Sequence, residues 1–484
     1  MDWFSWSLNI LLVINLALAV FLIFNERRDA ASTWAWLLIL FFLPIIGFLL
    51  YLFLGRQMKQ ENFYRLTQEE QAYHSGHIQT QLQQLNATQP ETKMKVHSSS
   101  KYDSLAAMNL RGSKALISFH NRISLLHDGN QKFNKMMEDM KQARSEINIQ
   151  YFIIKRDPLG QKLLNILTDK AKEGVKVRIL YDGIGSMHLR SSDFEELASY
   201  KGEVRVFFPS WFKYINLRIN NRNHRKLCII DGKIGYIGGF NVGTEYLGEA
   251  EKFGYWRDTH LRLEGDAVYQ IQERFIMDWH YAGPGRPEPE EWFEFAPHAI
   301  EDTAAVQIVA SGPNSRTEHL KNAMIHMILR AERQIYIQTP YFIPDQSFID
   351  ACKMALLSGV ELHIMIPGKK DHPFVMWASW SFLGELLDYG AQAYLYDGGF
   401  LHAKTLVIDG ETSTVGTTNL DARSFRLNFE VNAVVYNNKL ALELESLFET
   451  DAAQCRMLTK DIYNRRAWHI KAREGFARLL SPIL

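Results

Sequence analysis

The stretch His224-Arg-Lys226-Leu-Cys-Ile-Ile-Asp231-Gly232 is written a second time as His402-Ala-Lys404-Thr-Leu-Val-Ile-Asp409-Gly410. Each copy has His, Lys two residues later, an apolar run, and Asp at the seventh position after the His. Seven residues beyond each Asp stands a Gly, then an Asn: Gly238-Gly239-Phe240-Asn241 and Gly416-Thr417-Thr418-Asn419. One His-x-Lys-x4-Asp arises by accident in roughly a few per cent of chains of this length. Two copies with matched Gly and Asn followers are not accidental.

Outward from this phrase the duplication continues. Ser145-Glu-Ile-Asn-Ile-Gln-Tyr151-Phe152-Ile-Ile resembles Arg333-Gln-Ile-Tyr-Ile-Gln-Thr-Pro-Tyr341-Phe342-Ile-Pro, and Gly174-Val-Lys-Val-Arg-Ile-Leu-Tyr matches Gly359-Val-Glu-Leu-His-Ile-Met-Ile. Apolar or alternating strands that follow helical patterns ending in Gly are the grammar of βαβ units. The order recurs about every 180 residues, which predicts a duplicated α/β domain rather than a short-period solenoid.

On a strand, residues two apart face the same way, so each His and its Lys can meet one ligand. Asp231-Gly232 and Asp409-Gly410 read equally as hairpin turn-formers and as active-site support. The return strands bring Gly238-Gly239 and Gly416 alongside, where missing side chains would admit a substrate. Asn241 and Asn419 then offer amide donors. Two histidines, two lysines and two asparagines make a donor-rich cationic site suited to a phosphate. Displacement at phosphorus needs a nucleophile on one side and an acid at the leaving oxygen on the other. One half supplies one histidine and the other half its partner. The internal alignment also equates Asp258 with Glu430; either could accept a histidine Nδ1–H. A lone His in a strand is more often structural, and His188, His260, His363 and His469 are assigned so. No metal-ligand spacing is present.

Before the repeats the sequence changes character. Trp3 to Phe24 and Ala30 to Leu54 are uncharged, separated by Asn25-Glu-Arg27-Arg28-Asp29. Each is long enough to span a bilayer, which predicts a two-helix hairpin anchor over residues 1–56. Ala17-Leu-Ala19 resembles a signal cleavage site, but no basic segment precedes it and the apolar run continues past it. Arg27 and Arg28 in the tight loop nearly balance Arg56, Lys59 and Arg65 after it, leaning towards a cytoplasmic catalytic part. Residues 57–105 read as a polar linker with a helix around Glu61 to Gln84. Residues 106–300 and 301–484 are the two repeats.

In 484 residues, Lys+Arg and Asp+Glu are 54 each, so no global charge argues for nucleic acid. Cys228, Cys352 and Cys455 are far apart and give no disulfide framework. Trp211-Phe-Lys-Tyr214 with Arg218, Arg222 and Arg225 mixes aromatics and cations before the first motif. Phe374-Val-Met-Trp377-Ala-Ser-Trp380-Ser-Phe-Leu is read as an acyl channel wall or as core. The tail from Arg465 to Leu480 is basic and amphipathic, fit for a membrane surface or for docking on the protein.

The doubled motif resembles that of the phospholipase D superfamily. The anchor with Ser32-Thr-Trp-Ala-Trp36, Pro44-Ile-Ile-Gly47 and Leu54-Gly-Arg56, together with Val306-Gln-Ile-Val-Ala-Ser-Gly-Pro-Asn314 and Thr339-Pro-Tyr-Phe-Ile-Pro344, resembles bacterial cardiolipin synthases nearly end to end. The resemblance implies an α/β fold of two duplicated phospholipase D-like domains forming one bilobal catalytic unit, behind a two-helix transmembrane hairpin. It implies phosphatidyl transfer between two phosphatidylglycerol molecules without nucleotide, metal or other cofactor. His224 would be the nucleophile and His402 the acid/base, with Lys226, Asp231, Lys404 and Asp409 catalytic and Asn241, Asn419, Asp258 and Glu430 at the substrate. A membrane-bound phospholipase D that hydrolyses phospholipid to phosphatidic acid is the alternative, because the motifs are silent about the second substrate.

Overall fold

The computed structural model describes residues 3–25, 30–51, 55, 63–64, 68–89, 91–209, 220–283, 304–369 and 373–479. The run Trp211 to Tyr214 and Arg218 lie outside them.

Two sheets of matching order form the body. In the first, β1 (Asn121–Leu126), β2 (Glu146–Tyr151), β3 (Lys176–Asp182), β4 (Glu203–Phe207), β5 (Leu227–Ile230), β6 (Ile234–Gly238) and β7 (His260–Gly265) lie in the order β1-β7-β6-β5-β2-β3-β4. The second contains β8 (Ala305–Ser311), β9 (Gln334–Gln338), β10 (Glu361–Pro367), β11 (Gln392–Tyr396), β12 (Thr405–Ile408), β13 (Thr412–Gly416) and β14 (Asn428–Tyr436). It repeats the order as β8-β14-β13-β12-β9-β10-β11, with β15 (Cys455–Leu458) added at the edge. In each, the βαβ-connected strands pair in parallel and the motif hairpin pairs antiparallel.

Period-two alternation explains the layering. On β5, Leu227 and Ile229 face an inner core while Cys228 and Ile230 face an outer one. The inner core joins the repeats: Leu261 and Leu263 of the first sheet share it with Val431, Ala433 and Val435 of the second. The helices Ala267–Tyr281 and Asn438–Ala452 complete it. A sheet buried on both faces needs near-continuous apolar strands, which is what the two motif runs supply.

In the described part of residues 57–105 a helix is present as expected, at Gln68–Leu85, but the segment is not a free polar linker: Leu85, Val96 and Tyr102 are buried in the second repeat's outer core. Gln81 bonds both backbone groups of Ile117, at 2.8 and 2.9 Å. The helix Asp103–Ser113, expected to open the first repeat, also packs on the second through Leu105 and Leu110. A few large apolar residues at irregular spacing do this, so no periodicity announces it.

At the N-terminus stand the helices Trp3–Asn25, Ala30–Phe42 and Pro44–Leu50. Pro44 opens the third and breaks what was expected as one span. Leu22, Leu40 and Tyr51 form a small cluster of their own. Among the described residues no helix is long and apolar enough to cross a membrane. The C-terminal helix Trp468–Leu479 buries Glu474 and Ala477, while Trp468, Phe476 and Leu479 point outward at 80, 58 and 78 % exposure.

Candidate active site

Each histidine is placed by the opposite repeat. The short strand Arg222–Asn223 runs parallel to the start of β14, with Arg222 opposite Asn428, and the His224 N–H donates to Phe429 O at 2.9 Å. The short strand Phe400–Leu401 pairs in the same way with Trp256–Arg257, and the His402 N–H donates to Arg257 O at 2.7 Å. The residue after each acceptor is a carboxylate. His224 Nδ1 therefore meets both oxygens of Glu430 at 2.9 and 3.0 Å, and His402 Nδ1 meets Asp258 Oδ2 at 2.6 Å. An ionised carboxylate can only accept, so each Nδ1 carries the proton and each Nε2 keeps its lone pair.

The electrostatics follow from burial. Burial pushes the His224 imidazole down; Glu430 pulls it back only in part, and Lys226 lowers it further. Burial, with the charge of Lys404, brings His402 down to about 4 despite Asp258. Burial raises both carboxyls, yet they stay below their ordinary range. Lys404 and His402 hold Asp258 there; His224 and Lys226, with the Thr417 hydroxyl at 2.5 Å, hold Glu430. Lys226 and Lys404 are buried and depressed to about 7 and about 8, chiefly by desolvation. The Lys226 ammonium donates to His224 O at 2.6 Å, and Lys404 donates likewise to His402 O. Neither lysine lines the cavity that the histidines face, so each acts on it by its charge from within the wall.

The histidines face one cavity of about 410 Å³, lined also by Asn241, Asn419, Arg222, Arg423, Trp256 and Phe400. Asn241 is already engaged, donating to Tyr246 Oη at 3.1 Å and accepting from Ile153 N at 3.2 Å. Val375 reaches the lining from the helix Pro373–Leu387, whereas Ala378, Ser379 and Phe382 on that helix are core. Among the described residues no His, Cys, Asp and Glu cluster is arranged to hold a metal.

Four expected residues sit elsewhere or do something else. Asp231 and Asp409 are not catalytic neighbours of the histidines: they lie at the far end of the strand, roughly 20 Å on by extended-chain geometry. Asp231 accepts backbone N–H groups of Arg144, Ser145 and Glu146 at 2.8–3.1 Å; Asp409 does so for Glu332, Arg333 and Gln334 and also takes Lys101 Nζ at 2.8 Å. Both adopt positive φ, 52 and 55°, as turn residues. Asp258 and Glu430 are fully buried behind the histidines and do not line the cavity, so they orient imidazoles rather than bind substrate. The glycines admit protein, not substrate: a Cβ on Gly239 would lie 2.0 Å from Asp258 Oδ1, and one on Gly416 2.2 Å from Asn432 Oδ1. His260 is buried beside Gly238 and His363 stacks on Tyr336, both away from the cavity lining. The residues sequence reasoning missed are Trp256, Phe400, Asp421, Arg423 and Asn428, all in the cavity wall and all within two to four positions of a motif residue.

The family model described as "Cardiolipin synthase, PLD-like domain" matches residues 136–279 and 324–452, and the phospholipase D-nuclease N-terminal model matches 13–56. The chain is 47 % identical over 480 residues to the major cardiolipin synthase of Bacillus subtilis, covering 99 % of both. It is 44 % identical to a cardiolipin synthase of Listeria innocua across the whole of both chains. The chain belongs to the bacterial cardiolipin synthases of the phospholipase D superfamily. It is an enzyme, and the hydrolytic alternative is not favoured by these relatives. Among solved structures, a phosphatidylserine synthase of Haemophilus influenzae shares the duplicated fold, at TM-score 0.59 and 16 % identity over 75 % of this chain and 95 % of that one. For a cardiolipin synthase the reciprocal pairing has a plain meaning: neither repeat contains a complete site.

Proposed function

We propose that the enzyme transfers a phosphatidyl group from one phosphatidylglycerol to the terminal hydroxyl of another, giving cardiolipin and glycerol. The observation that carries this is a single cavity faced by two histidines from different repeats, each backed by the other repeat's carboxylate.

His224 Nε2 attacks phosphorus, and the P–O bond to the headgroup glycerol breaks as a P–N bond forms. His402 protonates the departing glycerol oxygen. It then takes the proton of the incoming lipid's hydroxyl, whose oxygen displaces His224. The depressed basicity of both imidazoles keeps them neutral in the free enzyme; His224 stays neutral as the nucleophile, while the bound anionic phosphodiester raises His402, which takes a proton from solvent on Nε2 and becomes the acid. Glu430 and Asp258 stabilise each imidazolium as it forms. Asn419 faces the phosphate oxygens, and Lys226 and Lys404 add positive charge from behind the wall, where negative charge builds in the transition state. Asn241, bound to Tyr246 and Ile153, fixes the wall beside them.

The uncharged runs from Trp3 to Phe24 and from Ala30 to Leu54 support a two-span membrane anchor, with the catalytic part on the cytoplasmic side. Val13, Leu16, Phe24 and Phe41 are 67–79 % exposed, a surface that water does not tolerate and lipid does. The outward Trp468, Phe476 and Leu479, flanked by Lys471 and Arg473, add an interfacial contact.

Purified enzyme in phosphatidylglycerol micelles is expected to release glycerol and cardiolipin in equal amounts; phosphatidic acid as the sole product would refute the transfer. A phosphoenzyme trap tests the order of the histidines: label retained in His224→Ala but absent from His402→Ala would reverse it.

A further inference from the structure

The duplicated site is symmetric in its histidines but not in its walls. The position two residues before each histidine is opposite the position two residues before the carboxylate that holds it. On the His224 side that cross-strand pair is Arg222 and Asn428; on the His402 side it is Phe400 and Trp256. All four line the cavity. The aromatic pair sits 4.8 Å apart between ring centroids, and Phe253 adds a third ring 5.3 Å from each. The same asymmetry recurs four residues after each motif asparagine. Arg423 follows Asn419 and lines the cavity, whereas Glu245 follows Asn241 and is tied to Lys155 at 2.5 Å away from it. One end of the cavity is thus an arginine wall and the other an aromatic wall.

Cardiolipin contains two phosphodiesters joined through one glycerol. The motif histidines and lysines with Asn419 account for the phosphate that reacts. The incoming phosphatidylglycerol brings a second phosphate that stays intact, and it must lie in the same cavity a glycerol's length away. We infer that Arg222 and Arg423 form the subsite for this unreactive phosphodiester of the acceptor lipid, an inference that rests on the proposed transfer reaction. Arg423 is held ready, with its guanidinium donating to Asn220 Oδ1 and Asn220 O at 3.0 Å each. Arg222 is 3 % exposed and bonds Asp182 at 3.3 Å. Asp182 also accepts from the backbone N–H groups of Asn223, Ile184 and Gly185, which fixes the place of the Arg222 guanidinium in the wall. Asp421, also in the wall, is likewise occupied, capping Ser424 N at 2.6 Å. Planar guanidinium groups are suited to bidentate contact with a phosphodiester. The subsite gives a phospholipid acceptor an advantage over water and over free glycerol, neither of which carries a distal phosphate.

The test separates the two halves of the reaction in the full-length enzyme. Phosphatidylglycerol micelles containing labelled glycerol are followed for label entering phosphatidylglycerol and for cardiolipin. The first reports the covalent intermediate returning to glycerol, the second its capture by the acceptor lipid. Arg423→Gln is expected to lower the ratio of cardiolipin formation to exchange by roughly tenfold to a hundredfold, with phosphatidic acid rising. If that variant does not accumulate, Arg423→Met, which keeps the stem, must show the same fall. An unchanged ratio, or both rates falling in parallel, would overturn the subsite. Wild-type enzyme that exchanges glycerol but makes no cardiolipin would instead overturn the transfer reaction itself.

Discussion

Glu430→Gln removes one charge from behind His224 and leaves the shape of the site almost unaltered. Glu430 is fully buried and its oxygens lie 2.9 and 3.0 Å from His224 Nδ1. At an effective dielectric constant of about 20, an imidazolium and a carboxylate at this distance attract by about 5 kcal/mol. A neutral amide in the same place keeps a hydrogen bond of about 1 kcal/mol. The transition state, in which His224 becomes cationic, therefore loses about 3–4 kcal/mol, or roughly two to three orders of magnitude in kcat. Asp258→Asn acts on His402 by the same path and should cost about as much. Because the two histidines serve one reaction, the double variant should be little worse than either alone. The assay is initial-rate cardiolipin formation in mixed micelles, with far-UV circular dichroism as a check on folding. A single variant retaining about half the activity would mean that each repeat works alone, and the reciprocal site would be wrong.

Three further outcomes follow from the same geometry. Lys226 and Lys404, depressed to about 7 and about 8, lose their charge as pH rises through those values, so kcat/KM should begin to fall from about pH 7 and continue through about pH 8. The acid limb should lie below the ordinary histidine value of 6.5, because both imidazoles are depressed; a pH profile rising to pH 9 would contradict this. Asp231→Asn should cost stability rather than chemistry, about 1–3 kcal/mol from weakened bonds to three backbone N–H groups, read as a lower Tm with kcat within about twofold. Its carboxyl lies below the ordinary range in the fold, burial being outweighed by the Ser145, Glu146 and Arg144 N–H groups. Its contribution is therefore present above the unfolded pKa and lost as pH falls through the folded one, so wild type and variant should converge in strong acid. Trp468→Glu with Phe476→Glu should slow turnover on anionic vesicles severalfold while sparing it in detergent micelles; equal loss in both would place the residues in folding instead.

Part of this site is legible in the sequence. The doubled His-x-Lys fixes the four central residues, because two copies leave no other reading. The carboxylates are half legible: internal alignment equates Asp258 with Glu430, but which histidine each serves depends on parallel pairing of Arg222–Asn223 with β14 and of Phe400–Leu401 with Trp256–Arg257. Two-residue strands carry no pattern of their own. Asp231 and Asp409 stayed divided between turn and chemistry because an Asp-Gly pair serves both; only the acceptor geometry at Arg144–Glu146 and Glu332–Gln334 decides it. Residues 57–105 misled because Val96 and Tyr102 bury themselves without periodicity.

The reciprocal arrangement also explains why the interface between repeats is polar where a core would be cheaper. Arg225, next to His224, is buried against Asp278 at 2.5 and 2.6 Å and donates through Nε to Glu430 O at 3.2 Å. Arg257, next to Asp258, is buried against Asp451 and donates to Asp258 O at 2.6 Å. The two arginines come from different motif positions, one following a histidine and one preceding a carboxylate. Each ends beside a histidine–carboxylate pair and bonds the backbone of the carboxylate residue. Buried ion pairs add little net stability over apolar packing, but breaking one leaves an uncompensated charge that costs about 3–5 kcal/mol. A slip of the repeats by one residue would break the Arg257–Asp451 pair and the Arg225–Glu430 bond and part both histidines from their carboxylates. The arginines therefore set the register that the chemistry requires, and the duplication persists as one site because neither half can be displaced without the other failing.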